Sequence, residues 1–160
     1  MQTMVVPNRH TLPDTRSSIT HKFAIAGHEG YLTIGLFENG QPGEVFIKMS
    51  KEGSTLSGLI QGFCRAFSLA LQHGLSPADA VERFRGMRFE PMGPTSNPEI
   101  PEASSILDYV ARYIDNMSDI TKPLRSLLKD DILWAWNHEH DLAMEKIKKI
   151  LVSKPVLKNF

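Results

Sequence analysis

The sequence predicts a small α+β fold: an antiparallel sheet of about three strands covered by helices, followed by a short helical C-terminal appendage. Three observations carry the prediction. Apolar and polar residues alternate in three runs between residues 20 and 50, the period of half-buried strands. Glycine-bearing turns separate the runs, at Gly27-His28-Glu29-Gly30 and at Glu38-Asn39-Gly40-Gln41-Pro42-Gly43. An apolar stripe of helical spacing follows at once, through Leu56, Leu59, Ile60, Phe63, Phe67, Ala70 and Leu71.

Residues 1–18, with Pro7, Pro13, Ser17 and Ser18, read as an extended arm. His21, Phe23 and Ile25 then share one strand face, Leu32, Ile34 and Leu36 a second, and Val45, Ile47 and Met49 a third. Asn39-Gly40 suits a hairpin turn because both residues tolerate positive φ. A meander that buries one face needs a cover. The helix starting at Ser54 or Thr55, either of which can cap it, and ending at Gly74 provides that cover. Ser76-Pro77 restarts a helix with Val81 and Phe84 inward, and Gly86 stops it. Pro91, Pro94, Pro98 and Pro101 make residues 88–101 a rigid loop, and a third helix at about 102–114 buries Ile106, Tyr109, Val110 and Tyr113.

Beyond about Asn116 the chain changes character. Ser118-Asp119-x-Thr121 leads a short helix with Leu124, Leu127 and Leu128 inside, and Lys129-Asp130-Asp131 breaks it. Leu133-Trp134-Ala135-Trp136 has an extended pattern. Asn137 caps a helix running to about Val152, with Leu142, Met144, Ile147, Ile150 and Leu151 apolar, and Pro155 ends it ahead of a half-strand stub.

Hydrophobic residues make up 41% and charged residues 22% of the 160, with a formal net charge of zero. That balance removes a chain-wide electrostatic case for nucleic acid or membrane binding. A mild basic bias past residue 120, at Lys122, Arg125, Lys129, Lys146, Lys148, Lys149, Lys154 and Lys158, reads as a solvated helix face. The start lacks a signal-peptide pattern, and no apolar run nears the ~18 residues of a membrane span. The expectation is a soluble cytoplasmic protein. Cys64 is the one cysteine, so no intrachain disulfide, Cys-x-x-Cys metal pair or redox dithiol can form.

Few residues offer chemistry. Lys51, Gly53, Ser54 and Thr55 stand at a helix start, where free N–H groups and hydroxyls make a weak anion-site candidate without P-loop spacing. A capped helix start explains the same residues. The histidines, His10, His21, His28, His73, His138 and His140, have no metal-ligand spacing and read as surface residues. Cys64 lies beside the apolar stripe and reads as a buried structural thiol. No catalytic, cofactor or metal residue stands out.

Several runs then carry a resemblance: Ile19-Thr20-His21-Lys22-Phe23, Gly27-His28-Glu29-Gly30-Tyr31, Pro42 through Met49, Lys51-Glu52-Gly53-Ser54-Thr55, Arg88-Phe89-Glu90-Pro91, and Gly93 through Pro101. From Arg16 to Tyr113 the chain resembles the C-terminal accessory region of adenosylcobalamin-dependent (class II) ribonucleotide reductases. The domain type is named for a Thr-Ser-Cys-Pro-Asp motif. Here the corresponding residues are Thr95-Ser96-Asn97-Pro98-Glu99, with asparagine for cysteine, and a second family cysteine corresponds to Gln41. A thiol or metal role for those positions is therefore not carried over. The resemblance implies a parent enzyme that makes deoxyribonucleotides through a thiyl radical generated with adenosylcobalamin. Its radical cysteine, redox pair and carboxylate belong to a barrel upstream of Met1, so this chain alone is expected to bind no cofactor and reduce nothing. The catalytic barrel is the partner implied.

The second part resembles the connection region of gypsy-type LTR-retroelement polyproteins, between polymerase thumb and RNase H. The residues that carry this are Ser118-Asp119-Ile120-Thr121-Lys122-Pro123-Leu124-Arg125, Trp134-x-Trp136 and Ile150-Leu151-x-Ser153-x-Pro155-Val156-Leu157. The metal-binding acidic residues of either parent enzyme fall outside such a segment. The expected organisation is an arm at 1–18, a reductase-like accessory domain at 19–115 and a connection-like segment at 116–160, in a chimeric or truncated chain. Alternatives are a non-enzymatic nucleotide- or protein-binding module and a non-catalytic polymerase relic.

Overall fold

A computed structural model describes residues 8–126 and 137–152. The strands β1 (Ser18–Ile25), β2 (His28–Leu36) and β3 (Pro42–Met49) form an antiparallel meander in that order. Its register sets His21 opposite Leu32 and Leu32 opposite Ile47. Alternation then gathers His21, Phe23, Ile25, Leu32, Ile34, Val45, Ile47 and Met49, all buried, on one face. Tyr31 and Phe46 stand on the other face, exposed.

The first turn differs from the expected Gly27–Gly30 segment. Ala26 and Gly27 form a two-residue loop with φ of 48° and 81°, the mirror-image geometry that matches strand twist. His28, Glu29 and Gly30 belong to β2. Gly30 is a close-approach residue, because a Cβ there would lie 2.6 Å from Met49 Sδ and 2.9 Å from Phe23 Cζ. In the second turn only Gly40 takes positive φ, at 79°. Asn39 contributes its side chain instead, its Oδ1 accepting the Gln41 N–H at 3.0 Å.

Helix α1 (Ser54–Gln72) packs along β3 and buries Ile60, Cys64, Phe67, Ser68, Leu71 and Gln72. Leu59 falls off that face and is 68% exposed, contrary to its place in the expected stripe. Gly53, not Ser54 or Thr55, is the N-cap, and no side chain caps the first turn. Gly74 takes φ of 100° past the end of α1, as expected. Helix α2 (Pro77–Phe84) begins with Ser76 accepting the Asp79 N–H at 3.1 Å and with Pro77 at its first position. Its Phe84 meets Phe63 and Phe67 edge-on at 5.3 and 5.6 Å.

The proline-rich loop contains β4 (Gly93–Pro94), paired antiparallel with β5 (Glu102–Ala103). Helix α3 (Ile106–Ser126) therefore starts four residues later than expected, with the Ser105 hydroxyl accepting the Asp108 N–H at 3.0 Å. Asp108 is fully buried and accepts from Gly86 N at 2.7 Å, Ser104 N at 3.1 Å and Arg112 Nε at 3.1 Å. The helix continues through residues 115–118, where the sequence predicts the end of one helix and the start of another. Val110, Ile114 and Met117 are buried at helical spacing across it, and that continuous apolar face overrides the local cap signal of Ser118-Asp119.

Helix α4 (His138–Val152) packs on α3. Asn137 caps it as expected, its Oδ1 accepting the Glu139 N–H at 3.0 Å. Leu142, expected on the apolar side, is exposed, and Ala143 takes the buried position. The side chains of Leu124, Ile150 and Leu151, together with Met1–Pro7, Leu127, Leu128, the Lys129-Asp130-Asp131 break, the Leu133–Trp136 stretch, Pro155 and the terminal stub, lie outside the described residues. Of the arm, residues 8–17 run beside the sheet and α1: His10 N donates to Gln72 O at 2.9 Å, Leu36 N donates to Ser17 O at 2.9 Å, and Arg16 pairs with Glu44.

Candidate functional site

The stretch Thr95–Glu99 is folded against the free edge of β1. Ala26 N donates to Pro94 O at 2.8 Å, Ser96 N to Ala24 O at 3.1 Å, and Ala24 N to Ser96 Oγ at 3.0 Å. The stretch is also tied internally, with Asn97 N donating to Thr95 Oγ1 at 3.1 Å and the Thr95 hydroxyl donating to Ile100 O. It thereby satisfies edge groups that a bare strand would expose.

Asn97 extends the contact into the core. Its Oδ1 accepts the Glu99 N–H at 3.0 Å, which aims Nδ2 at the Tyr109 hydroxyl, 3.2 Å away. Tyr109 is 2.7 Å from His21 Nε2. Since Asn97 Nδ2 can only donate, the Tyr109 oxygen accepts from it, and the same hydroxyl hydrogen-bonds His21 Nε2. The His21 ring lies 4.2 Å from the Tyr113 ring at 15°, and Phe23 lies 4.9 Å from Tyr109. Burial pushes the Tyr109 and Tyr113 hydroxyls up to about 12. This is a buried polar clamp joining β1, the motif loop and α3; it holds no nucleophile poised beside a base.

At the opposite edge, α1 does for β3 what the motif does for β1. Gln72 Nε2 donates to Gly43 O at 3.0 Å, Ser68 Oγ accepts from Val45 N at 2.9 Å, and Cys64 has a backbone hydrogen bond with Ile47. The three side chains are four residues apart along α1, so they lie on one helical line facing every second residue of β3. Burial pushes the Cys64 thiol up to about 11, which suits the inert role expected. Beside this seam is an open groove of about 630 Å³, with Arg9, Phe46, Gln61, Arg65 and Leu69 among its lining.

The expected anion-site residues, Lys51, Gly53, Ser54 and Thr55, are brought together at the start of α1, all exposed. Glu52 stands in the same turn, half-buried, with its Oε2 out of contact with solvent. Two histidines depart from the surface expectation. His21 is buried because it occupies the inward register of β1. His140 is buried with Nδ1 accepting the Asn137 N–H at 3.0 Å, closing the cap of α4 from its third position. His10, His28, His73 and His138 are exposed. Among the described residues no three His, Cys, Asp or Glu side chains gather as metal ligands, and no helix is long and apolar enough to cross a membrane.

Sequence reasoning missed the clamp and the α1 polar line. The signals were present: His21 lay in period with Phe23 and Ile25, and Cys64, Ser68 and Gln72 have the i, i+4, i+8 spacing.

The TSCPD domain family matches residues 6–118. The vitamin B12-dependent ribonucleotide reductase of Rhodopirellula baltica is 55% identical over 108 residues, covering 68% of this chain and 10% of that protein. The Streptomyces coelicolor protein of the same name is 45% identical over 108 residues, covering 68% and 11%. The chain thus spans about a tenth of the length of these relatives. The Transposon Tf2-3 polyprotein of Schizosaccharomyces pombe is 37% identical over 67 residues, 42% of this chain and 5% of the polyprotein. That stretch is longer than the segment 117–160, so it includes residues before it. No solved structure matches.

Proposed function

Because the chain belongs to the TSCPD domain family, we propose that it is an accessory domain of a vitamin B12-dependent ribonucleotide reductase, acting in deoxyribonucleotide synthesis by docking on the catalytic part of such an enzyme. The observation that carries this is the 55% identity over 108 residues to the Rhodopirellula baltica reductase. In this reading the radical chemistry, adenosylcobalamin and the ribonucleoside diphosphate all belong to the catalytic barrel. The residues here supply no dithiol, since Cys64 is the one cysteine and lies buried against β3.

The test uses the Rhodopirellula reductase with its own matching region deleted. Co-elution of the full 160-residue chain with that enzyme, together with inactivity of the chain alone given adenosylcobalamin and a dithiol, is expected. Separate elution with no change in reductase turnover would remove the proposal.

The start of α1 is proposed as a weak anion contact, supported by a Gly53 cap that leaves the first-turn N–H groups without a side-chain acceptor. Phosphate titration should move the amide resonances of Ser54 and Thr55, and Lys51→Ala should reduce the effect; unmoved resonances would discard it. Residues 116–160 are proposed as a retroelement-derived connection segment joined to the accessory domain at 19–115, with the polyprotein similarity in support. Transcripts spanning the codons for Tyr113 to Asn116 are the check, and their absence would count against a real fusion.

A further inference from the structure

We infer that the groove between β3 and the outer side of α1 binds an aromatic anion of mononucleotide size, stacked on Phe46 and held by Arg65 and Arg9. The volume, about 630 Å³, lies within the range of small-ligand sites. One wall is the Phe46 ring, 54% exposed on a strand whose alternate residues are buried, with Leu69, 39% exposed, from α1. Ile47 and Cys64 line it as buried residues, so the interior end of the groove is apolar. An exposed ring beside an apolar floor suits a planar ligand, which stacks with little regard to its substituents.

Charge selects the rest of the ligand. The lining contains Arg9 and Arg65 and no acidic residue. Arg9 is held by its Nε, which donates to Gln72 Oε1 at 2.7 Å, so its terminal nitrogens have a fixed origin on the groove wall. Arg65 is exposed and forms no ion pair among the described residues. Two guanidinium groups around an apolar slot favour a phosphate or carboxylate carried on a ring.

The same geometry disfavours a peptide added as a fourth strand. Gly43 O, Val45 N and a backbone group of Ile47 already pair with Gln72, Ser68 and Cys64. A docking strand would find its ladder positions occupied. The ligand must therefore be recognised by side chains, and those present include an exposed ring, two cations and the Gln61 amide.

Calorimetric titration of the full chain with adenosine 5′-monophosphate, and separately with inorganic phosphate, tests the inference. Saturable binding of the nucleotide, tighter than that of phosphate, is expected. Phe46→Ala should weaken the nucleotide about tenfold and leave phosphate unchanged, whereas Arg65→Ala should weaken both about tenfold. Arg83→Ala, on the exposed side of α2, should change neither. All three positions are exposed, and thermal melts confirm that the variants fold. Nucleotide binding no tighter than phosphate, or binding indifferent to both Phe46→Ala and Arg65→Ala, overturns the inference. The reductase-docking proposal is unaffected by that outcome, because its readout is co-elution with the enzyme.

Discussion

The Tyr109 hydroxyl lies 2.7 Å from His21 Nε2 while accepting from Asn97 Nδ2 at 3.2 Å. The residue that stands where the family motif has cysteine is thereby connected, through one tyrosine, to the core face of β1. Tyr109 is fully buried, so removing its hydroxyl takes one hydrogen bond each from His21 and Asn97. Tyr109→Phe should lower stability by about 1–3 kcal/mol, read from the midpoint of a urea transition at constant slope. A shift below about 0.5 kcal/mol would show that the clamp contributes little.

Alkaline pH should destabilise the fold through the same region. The Tyr109 and Tyr113 hydroxyls are raised from 10.0 to about 12, and the Cys64 thiol from 9.0 to about 11. Between those values the unfolded chain has released protons that the folded chain keeps, so stability falls as pH rises. The contribution is complete below about pH 9 and is lost progressively through about pH 12. Urea midpoints measured across this window should decline, and Tyr109→Phe should flatten the upper part of the decline. A flat profile would contradict the burial of these groups.

The α1 line of Cys64, Ser68 and Gln72 predicts a local effect on β3. Ser68→Ala leaves the Val45 N–H without its acceptor at a cost of about 1–3 kcal/mol. Hydrogen exchange at the Val45 amide should accelerate more than at amides of β1. Equal acceleration in both strands would mean a global loss of stability rather than an unprotected edge.

Cys64 should behave as a structural thiol. A disulfide exchange reagent at neutral pH is expected to react only as fast as the protein unfolds, because the thiolate is scarce and the sulfur buried. Rapid stoichiometric labelling of the native chain would refute this.

Truncation after Asn116 removes Met117 and everything beyond it but keeps Ile106, Asp108, Tyr109, Val110, Ala111 and Ile114, all buried on α3. The shortened chain should still unfold cooperatively, at a lower midpoint because α3 loses its continuation and the packing of α4. Loss of the folded far-UV signal would show that the accessory domain needs the appended segment.

Much of the fold was legible because its signals are local and periodic. Phe23, Leu32, Ile34, Val45 and Ile47 alternate in sequence, and a half-buried strand has no other way to arrange them. Ser76-Pro77 and Gly74 act within one turn of themselves. The misplaced features involve competition between a local signal and a distant partner. Ser118-Asp119 resembles a cap, yet the buried line of Val110, Ile114 and Met117 carries α3 past it. Gly30 resembles a turn residue, yet it lies in β2 paired with Phe23 and Met49, whose side chains leave no room for a Cβ there.

The residues of 20–50 and 54–84 thus determine a one-faced meander and the helices able to cover it, and the ordered motifs from Ile19 to Pro101 determine the family. Tertiary structure decides what becomes of the polar groups. The His21 ring meets the Tyr109 hydroxyl, 88 residues away, and the Cys64 thiol is held inert by its burial against β3, another element. A desolvated polar group is stable only where a partner meets it, and no sequence period records which distant residue that will be.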